Sequence, residues 1–188
     1  AIVANKMARE TDADWTITVI DPADTHLYQP GLLFLPFGAH DEDRMLRPRA
    51  ATLDRRVAWR REAFELVDRD ARQVVLASGD RVPYDLLVVA TGSEIRPSET
   101  PGLVGPEWHK SIHDFYTLEG AQALRERLRT FDRGRLVRDV VDMPIKCPVA
   151  PLEFLFLADE FFTKKGVRDK VEIVLATPLD GAFTKPVC

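Results

Sequence analysis

The spacing of apolar positions changes several times along the chain, and each change predicts an element. In "AIVANKMARETDAD" Ile2, Val3, Met7 and Ala8 recur at helical spacing with no capping residue ahead of them, so the pattern opens inside a helix. Trp15, Ile17, Val19 and Ile20 then form the apolar run of a buried strand that closes on Asp21. Three further strands are predicted at Trp59 to Asp68, Gln73 to Ala77 and Tyr84 to Ala90, with turn chemistry in "DRDA" and "ASGD" between them. Leu86 to Val89 is continuously apolar, as in a parallel strand covered on both faces, and Thr91-Gly92 ends it. "TLEGAQALRERLRTF" predicts a helix with Leu118, Ala121, Leu124 and Leu128 inward. A strand at Leu136 to Val141, a helix from about Leu152 to Phe162 and a second strand in "RDKVEIVLATPLDGAF" follow. The charged stretch "HDEDRMLRPRAATLDRR" reads as a connection containing a short helix, and the phenylalanines of 154–162 read as core.

Helix, strand and an acid at the strand's carboxyl end make the second half of a dinucleotide-binding βαβ unit, in which the acid takes ribose hydroxyls. Asp21 is therefore the candidate ribose ligand. Thr91 and Gly92 are candidates to approach the cofactor at the sheet edge, because glycine permits close backbone contact. The expected architecture is α/β: a Rossmann-like FAD-binding domain with an inserted β-meander over residues 1–105, then the start of a second, degenerate NAD-type Rossmann-like domain over 106–188. The first strand and its glycine-rich turn are not in the sequence, so a chain truncated at both ends is expected.

Composition narrows the function classes. With 26 Lys and Arg against 30 Asp and Glu, the formal net charge of -4 supplies no basic face for general nucleic-acid binding. The two cysteines make neither a disulfide framework nor a metal-ligand cluster. No apolar run reaches the roughly 18 to 20 residues of a spanning helix, and no signal peptide is visible, so a cytoplasmic or peripheral membrane location is expected.

The turn "MPIKCPVAP" holds the candidate chemistry. A second Rossmann unit that binds NAD places glycines here, so that backbone N–H groups receive the pyrophosphate. Three prolines instead remove donors and restrict the backbone. The following strand ends in Thr177-Pro178 without an acid, so NAD binding is disfavoured. What the turn supplies is Cys147 close to a helix start with Lys146 adjoining it, and helix-terminus N–H groups and a neighbouring cation both favour a thiolate nucleophile. The alternative is a small buried core cysteine.

Three stretches resemble the sulfide:quinone oxidoreductase family of two-dinucleotide-domain flavoproteins: "HLYQPGLLFLPFG", "YDLLVVATGSEIRP", and "MPIKCPVAPLEF" together with "TPLDGAFTKPV". The resemblance implies FAD as cofactor, sulfide and a membrane quinone as substrates, and a redox thiol at Cys147 near the flavin, whose partner cysteine belongs to a missing carboxyl-terminal part. Tyr28, Gln29, Pro30 and Gly31 would approach the flavin. Peripheral membrane attachment would depend on further carboxyl-terminal segments, and a homo-oligomer is compatible with the resemblance. The chain departs from the family where His113 stands in the region of a further expected cysteine, and Cys188 is given no role. His109 and His113 are candidate proton acceptors. Two rival readings are an NAD(P)H-dependent flavoprotein reductase and a non-catalytic fragment of such a flavoprotein.

Overall fold

The structure is a computed structural model that describes residues 1–181; the end of the Thr177–Val187 stretch, and Cys188, lie outside the described residues. The chain divides into two compact units, one of Ala1–Leu27 with Asp43–Thr91 and one of Tyr28–Glu42 with Gly92–Cys188.

In the first unit α1 (Ile2–Glu10) precedes β1 (Ile17–Ile20) and β2 (Thr25–Leu27). The short helix α2 (Glu42–Met45) leads into β3 (Leu46–Pro48), antiparallel to β2. β4 (Val57–Arg60) lies parallel to β1 in the register Ile17↔Val57 to Ile20↔Arg60. The apolar side of α1 explains this arrangement: Ala8, Ile17 and Val57 form a buried core, with Ala4, Met7, Val19 and Leu53 against it. Ile2 and Val3, expected on the same face, are exposed, as is Trp15 ahead of β1. The carboxyl end of α1 is tied down by Arg56, which donates to the Ala8 carbonyl at 2.5 Å, one of the acceptors a helix end leaves open, and to the Thr11 and Asp12 carbonyls just beyond it at 2.9 and 2.6 Å.

The predicted strand from Trp59 to Asp68 is two strands. The chain leaves the parallel ladder after Arg60 and joins a separate antiparallel meander at β5 (Phe64–Asp68), followed by β6 (Gln73–Leu76) and β7 (Arg81–Pro83). The break falls at 61–63, between the two ladders. The predicted strand from Tyr84 to Ala90 is corrected outright. No described strand pairs with it, and Leu86, Val88 and Val89 are 58, 51 and 66% exposed. Apolar composition makes a segment suited to a sheet, but only a hydrogen-bonding neighbour makes it a strand.

The second unit opens with two 3₁₀ turns, Gln29–Leu33 and Leu35–Phe37, which bury Leu32, Leu33, Leu35 and Pro36. α3 (Leu118–Thr130) turns Ala121, Leu124 and Leu128 inward and packs on the second of these turns. β8 (Gly134–Asp139), α4 (Ala150–Lys164) and β9 (Val171–Ala176) then form a β-α-β unit, its two strands parallel from Gly134↔Val171 to Asp139↔Ala176. Phe154, Ala158 and Phe162 are the buried stripe of α4. Phe154 stacks on Phe115 at 5.0 Å and meets Phe37 at 5.1 Å. Phe156, expected in the core, is 74% exposed, because its position falls on the opposite side of the helix. Lys165 closes the far end of α3 by donating to the carbonyls of Leu128, Arg129 and Phe131 at 2.8–2.9 Å.

Candidate functional site

In the first unit the half-buried Asp21 stands where β1 ends. Its Oδ1 accepts from the Ala23 N–H at 2.9 Å, and its Oδ2 pairs with Arg49 Nη2 at 2.7 Å. The local backbone is fixed from two sides: the Asp21 N–H donates to the Arg60 carbonyl at 3.1 Å, and Trp59 Nε1 donates to the Asp21 carbonyl at 2.9 Å. The carboxylate therefore has a defined rotamer and stays 29% exposed, which fits a ligand that presents hydroxyls. Arg49 was hidden in the sequence, because "RPRAATLDRR" reads as a charged connection and nothing local ties it to an acid 28 positions earlier. Thr91, at the end of this unit, is exposed and follows an unpaired segment.

In the second unit Tyr28, Gln29 and Pro30 are exposed at the start of the first 3₁₀ turn, and Gly31 is buried. Gly92 has φ +78°, and a Cβ built there would meet nothing within 4 Å. The left-handed conformation and the open space beside it are what close backbone approach to a cofactor needs.

Val140 continues the ladder by donating to the Ala176 carbonyl at 2.9 Å, and the chain then turns through 141–149 into α4. Cys147 is exposed, which removes the core-cysteine alternative. Its φ of +59° lies in the left-handed region, an uncommon setting for a residue with a Cβ. Its carbonyl accepts from the Ala150 N–H at 3.2 Å, so the residue sits immediately before the first turn of the helix, with Lys146 half-buried beside it.

Near this turn Phe115 stacks against Tyr116 at 4.8 Å, and the Arg138 guanidinium lies 5.0 Å from the Phe115 ring centre. Tyr116 Oη and Arg138 Nε are buried with no hydrogen-bond partner among the described residues. Burial pushes the Tyr116 hydroxyl above its usual range and Cys147 adds to this, while Arg138 pulls the other way. The Tyr116 hydroxyl faces the Arg138 guanidinium without a hydrogen bond of normal geometry, so Tyr116→Phe is expected to change stability by no more than about 1 kcal/mol in urea denaturation. A clear loss of stability would show that the hydroxyl is bonded in solution.

The two histidines differ in setting. His109, also at positive φ (+60°), lies 3.2 Å from Asp114 Oδ2 and 3.5 Å from Glu119. His113 Nε2 lies 3.0 Å from the Lys110 carbonyl, so its N–H is placed to donate there, and its Nδ1 is buried without a partner among the described residues. Burial holds the His113 pKa below 6.5, and the neighbouring His109 and Arg127 lower it further. The unfolded chain then binds a proton that the folded chain refuses, so stability falls as pH drops through about 6.5. A His113→Asn protein should show a flatter dependence of its urea midpoint between pH 7.5 and 5.5; an unchanged slope would refute this.

No protein-family model matches the chain. Among solved structures, the sulfide:quinone oxidoreductase of Aquifex aeolicus superposes with a TM-score of 0.72 at 24% identity, covering 96% of this chain and 41% of that one. The ferredoxin reductase of the CYP199A2 system from Rhodopseudomonas palustris superposes with a TM-score of 0.61 at 23% identity, covering 92% and 38%. The chain thus shares the α/β fold of these two structures. The resemblance read from the sequence is borne out. Mitochondrial sulfide:quinone oxidoreductase of Mus musculus is 24% identical over 181 residues, covering 96% of this chain, and that of Dictyostelium discoideum 24% identical over 178 residues, covering 91%. The chain spans about 40% of the length of these relatives. They are oxidoreductases by name. Among the described residues no helix is long and apolar enough to cross a membrane, and no group of side chains could hold a metal ion.

Proposed function

We propose that this chain is part of an FAD-dependent oxidoreductase that oxidises sulfide and passes the electrons to a quinone. The observation that carries the reading is an exposed cysteine at φ +59° in a glycine-free turn, where a pyridine-nucleotide reductase would place its second phosphate-binding loop. When bound, FAD supplies a two-electron acceptor that can be reoxidised by quinone. Asp21 would hold the ribose hydroxyls, Tyr28, Gln29, Pro30 and Gly31 would approach the flavin side, and Thr91 and Gly92 would give close backbone contact. Cys147 Sγ would form a sulfur–sulfur bond with sulfide, a two-electron oxidation for which bound FAD would supply the acceptor, the thiol and sulfide protons leaving to water. Lys146 would stand beside the reacting sulfur as the adjoining cation. Residues 1–105 and 106–188 would serve as the FAD-binding domain and the start of the second domain.

The test uses the intact, flavin-loaded protein. In stopped-flow mixing, sulfide should bleach the flavin absorbance quickly and NADH should bleach it little. The reverse ranking would move the assignment to the NAD(P)H-dependent reductases.

A further inference from the structure

The first unit places both of the residue types that dinucleotide-binding folds use to read a ribose 2′ position, and places them against each other. An acid at this strand end selects a free 2′-hydroxyl, whereas an arginine accommodates a 2′-phosphate. Here Asp21 Oδ2 and Arg49 Nη2 are 2.7 Å apart, with the Arg49 side chain only 12% exposed. The guanidinium is held on its other edges as well. Its Nη1 lies 3.4 Å from His26 Nδ1, and the residue's main chain is anchored separately, its backbone N–H donating to the Asp24 carbonyl at 2.6 Å. Arg49 Nε is buried without a partner among the described residues. Burial, and then Arg49 itself, hold the His26 pKa low, so near neutral pH the imidazole is uncharged and accepts from the guanidinium. Asp24 is engaged by Arg61. The Arg49 charge is thus compensated by Asp21, and the β2–β3 ladder from which Arg49 emerges walls a cavity of about 390 Å³ lined by Asp24, Thr25, Leu46, Arg47 and Pro48.

We infer that Asp21 and Arg49 act together as a selectivity device for the adenosine end of the cofactor, with Asp21 accepting the free 2′-hydroxyl while it masks a latent phosphate site on Arg49. The inference rests on the reading of Asp21 as the ribose ligand. An adenosine dinucleotide with a free 2′-hydroxyl, such as FAD, is accepted. One carrying a 2′-phosphate meets a carboxylate, and the guanidinium that could receive it is already taken. Arg49 is on this account a positioning residue in the native protein, since it fixes the carboxylate rotamer, and it becomes a phosphate ligand only when the acid is removed.

The probes are adenosine 5′-monophosphate and adenosine 2′,5′-bisphosphate, titrated by calorimetry into the intact protein after its flavin has been removed. The native chain should bind the monophosphate about tenfold or more tightly than the bisphosphate. Asp21→Ser removes the charge and makes room while keeping a hydroxyl for the Ala23 N–H, and it should reverse the order. Asp21→Ser with Arg49→Met should lose the gain for the bisphosphate. Removing Asp21 leaves a cation uncompensated, so if the single variant is too unstable to titrate, its melting temperature is read instead, and the bisphosphate should raise it more than the monophosphate does. Equal shifts, a retained preference for the monophosphate in Asp21→Ser, or a bisphosphate gain that survives Arg49→Met would overturn the inference while leaving the sulfide reading intact. Failure of the native chain to bind either nucleotide would overturn the inference together with the role of Asp21, and the sulfide and NADH comparison would still decide the reaction separately.

Discussion

Cys147→Ser is expected to abolish sulfide-dependent quinone reduction by the intact protein, a loss of roughly a hundredfold or more in turnover, without changing flavin content or the urea midpoint. The two halves of this expectation have separate grounds. Stability should hold because Cys147 is exposed and outside the packed stripe of Phe154, Ala158 and Phe162, so exchanging sulfur for oxygen leaves no cavity and buries no hydroxyl. The φ of +59° is unfavourable for both residues alike, so it cancels in the comparison. Activity should fail because a serine hydroxyl is scarcely ionised near neutral pH and cannot form the sulfur–sulfur bond that the proposed step needs. Cys147→Ala separates the roles further, since it should match the serine variant in turnover if the sulfur itself reacts. Sustained sulfide oxidation by a folded Cys147→Ser protein would eliminate the proposed chemistry and leave the flavoprotein fold standing.

What could be read from the sequence was whatever depends on local periodicity. The inward face of α3 and the β-α-β unit around α4 follow from apolar spacing alone, and both are found within a few residues of the expected bounds. What depends on a partner distant in sequence could not be read. Leu86 to Ala90 has the composition of a buried strand and no described neighbour to pair with, while Trp59 and Arg60 read as the start of one long meander strand and instead lie parallel to β1. The same limit applies to the sites. Asp21 and Cys147 announce themselves by position, one at a strand end and one between prolines. Arg49, Tyr116 and Arg138 are defined only by what surrounds them in space, and charged or aromatic residues of their kind are common on surfaces.

The largest expected change in stability comes from a methyl group. In the middle of an ordinary helix, Gly→Ala stabilises by roughly 0.5–1 kcal/mol, because alanine loses less backbone freedom on folding. Gly120→Ala in α3 should have the opposite sign and cost about 2–4 kcal/mol. A Cβ built at Gly120 falls 2.7 Å from Asp114 Oδ1 and closer still to Oδ2 and Cγ, inside any tolerable contact. Asp114 cannot simply give way. Its side chain is 8% exposed, and Oδ1 accepts from the N–H groups of Tyr116 and Thr117 at 2.9 and 2.8 Å and from the Thr117 hydroxyl at 2.9 Å. That hydroxyl in turn accepts from the Gly120 N–H at 3.0 Å and caps α3. Displacing the carboxylate therefore breaks the hydrogen bonds that orient the cap and leaves buried donors unpaired at once, and His109 loses its nearest acid. The double-mutant cycle gives the decisive reading. If the clash is with Asp114, Gly120→Ala should cost nothing further once Asp114→Ala is in place, and the helix preference for alanine should reappear as a small gain. A Gly120→Ala protein that denatures at a higher urea concentration than the native chain would show that the corner between Asp114 and α3 is looser than these distances imply.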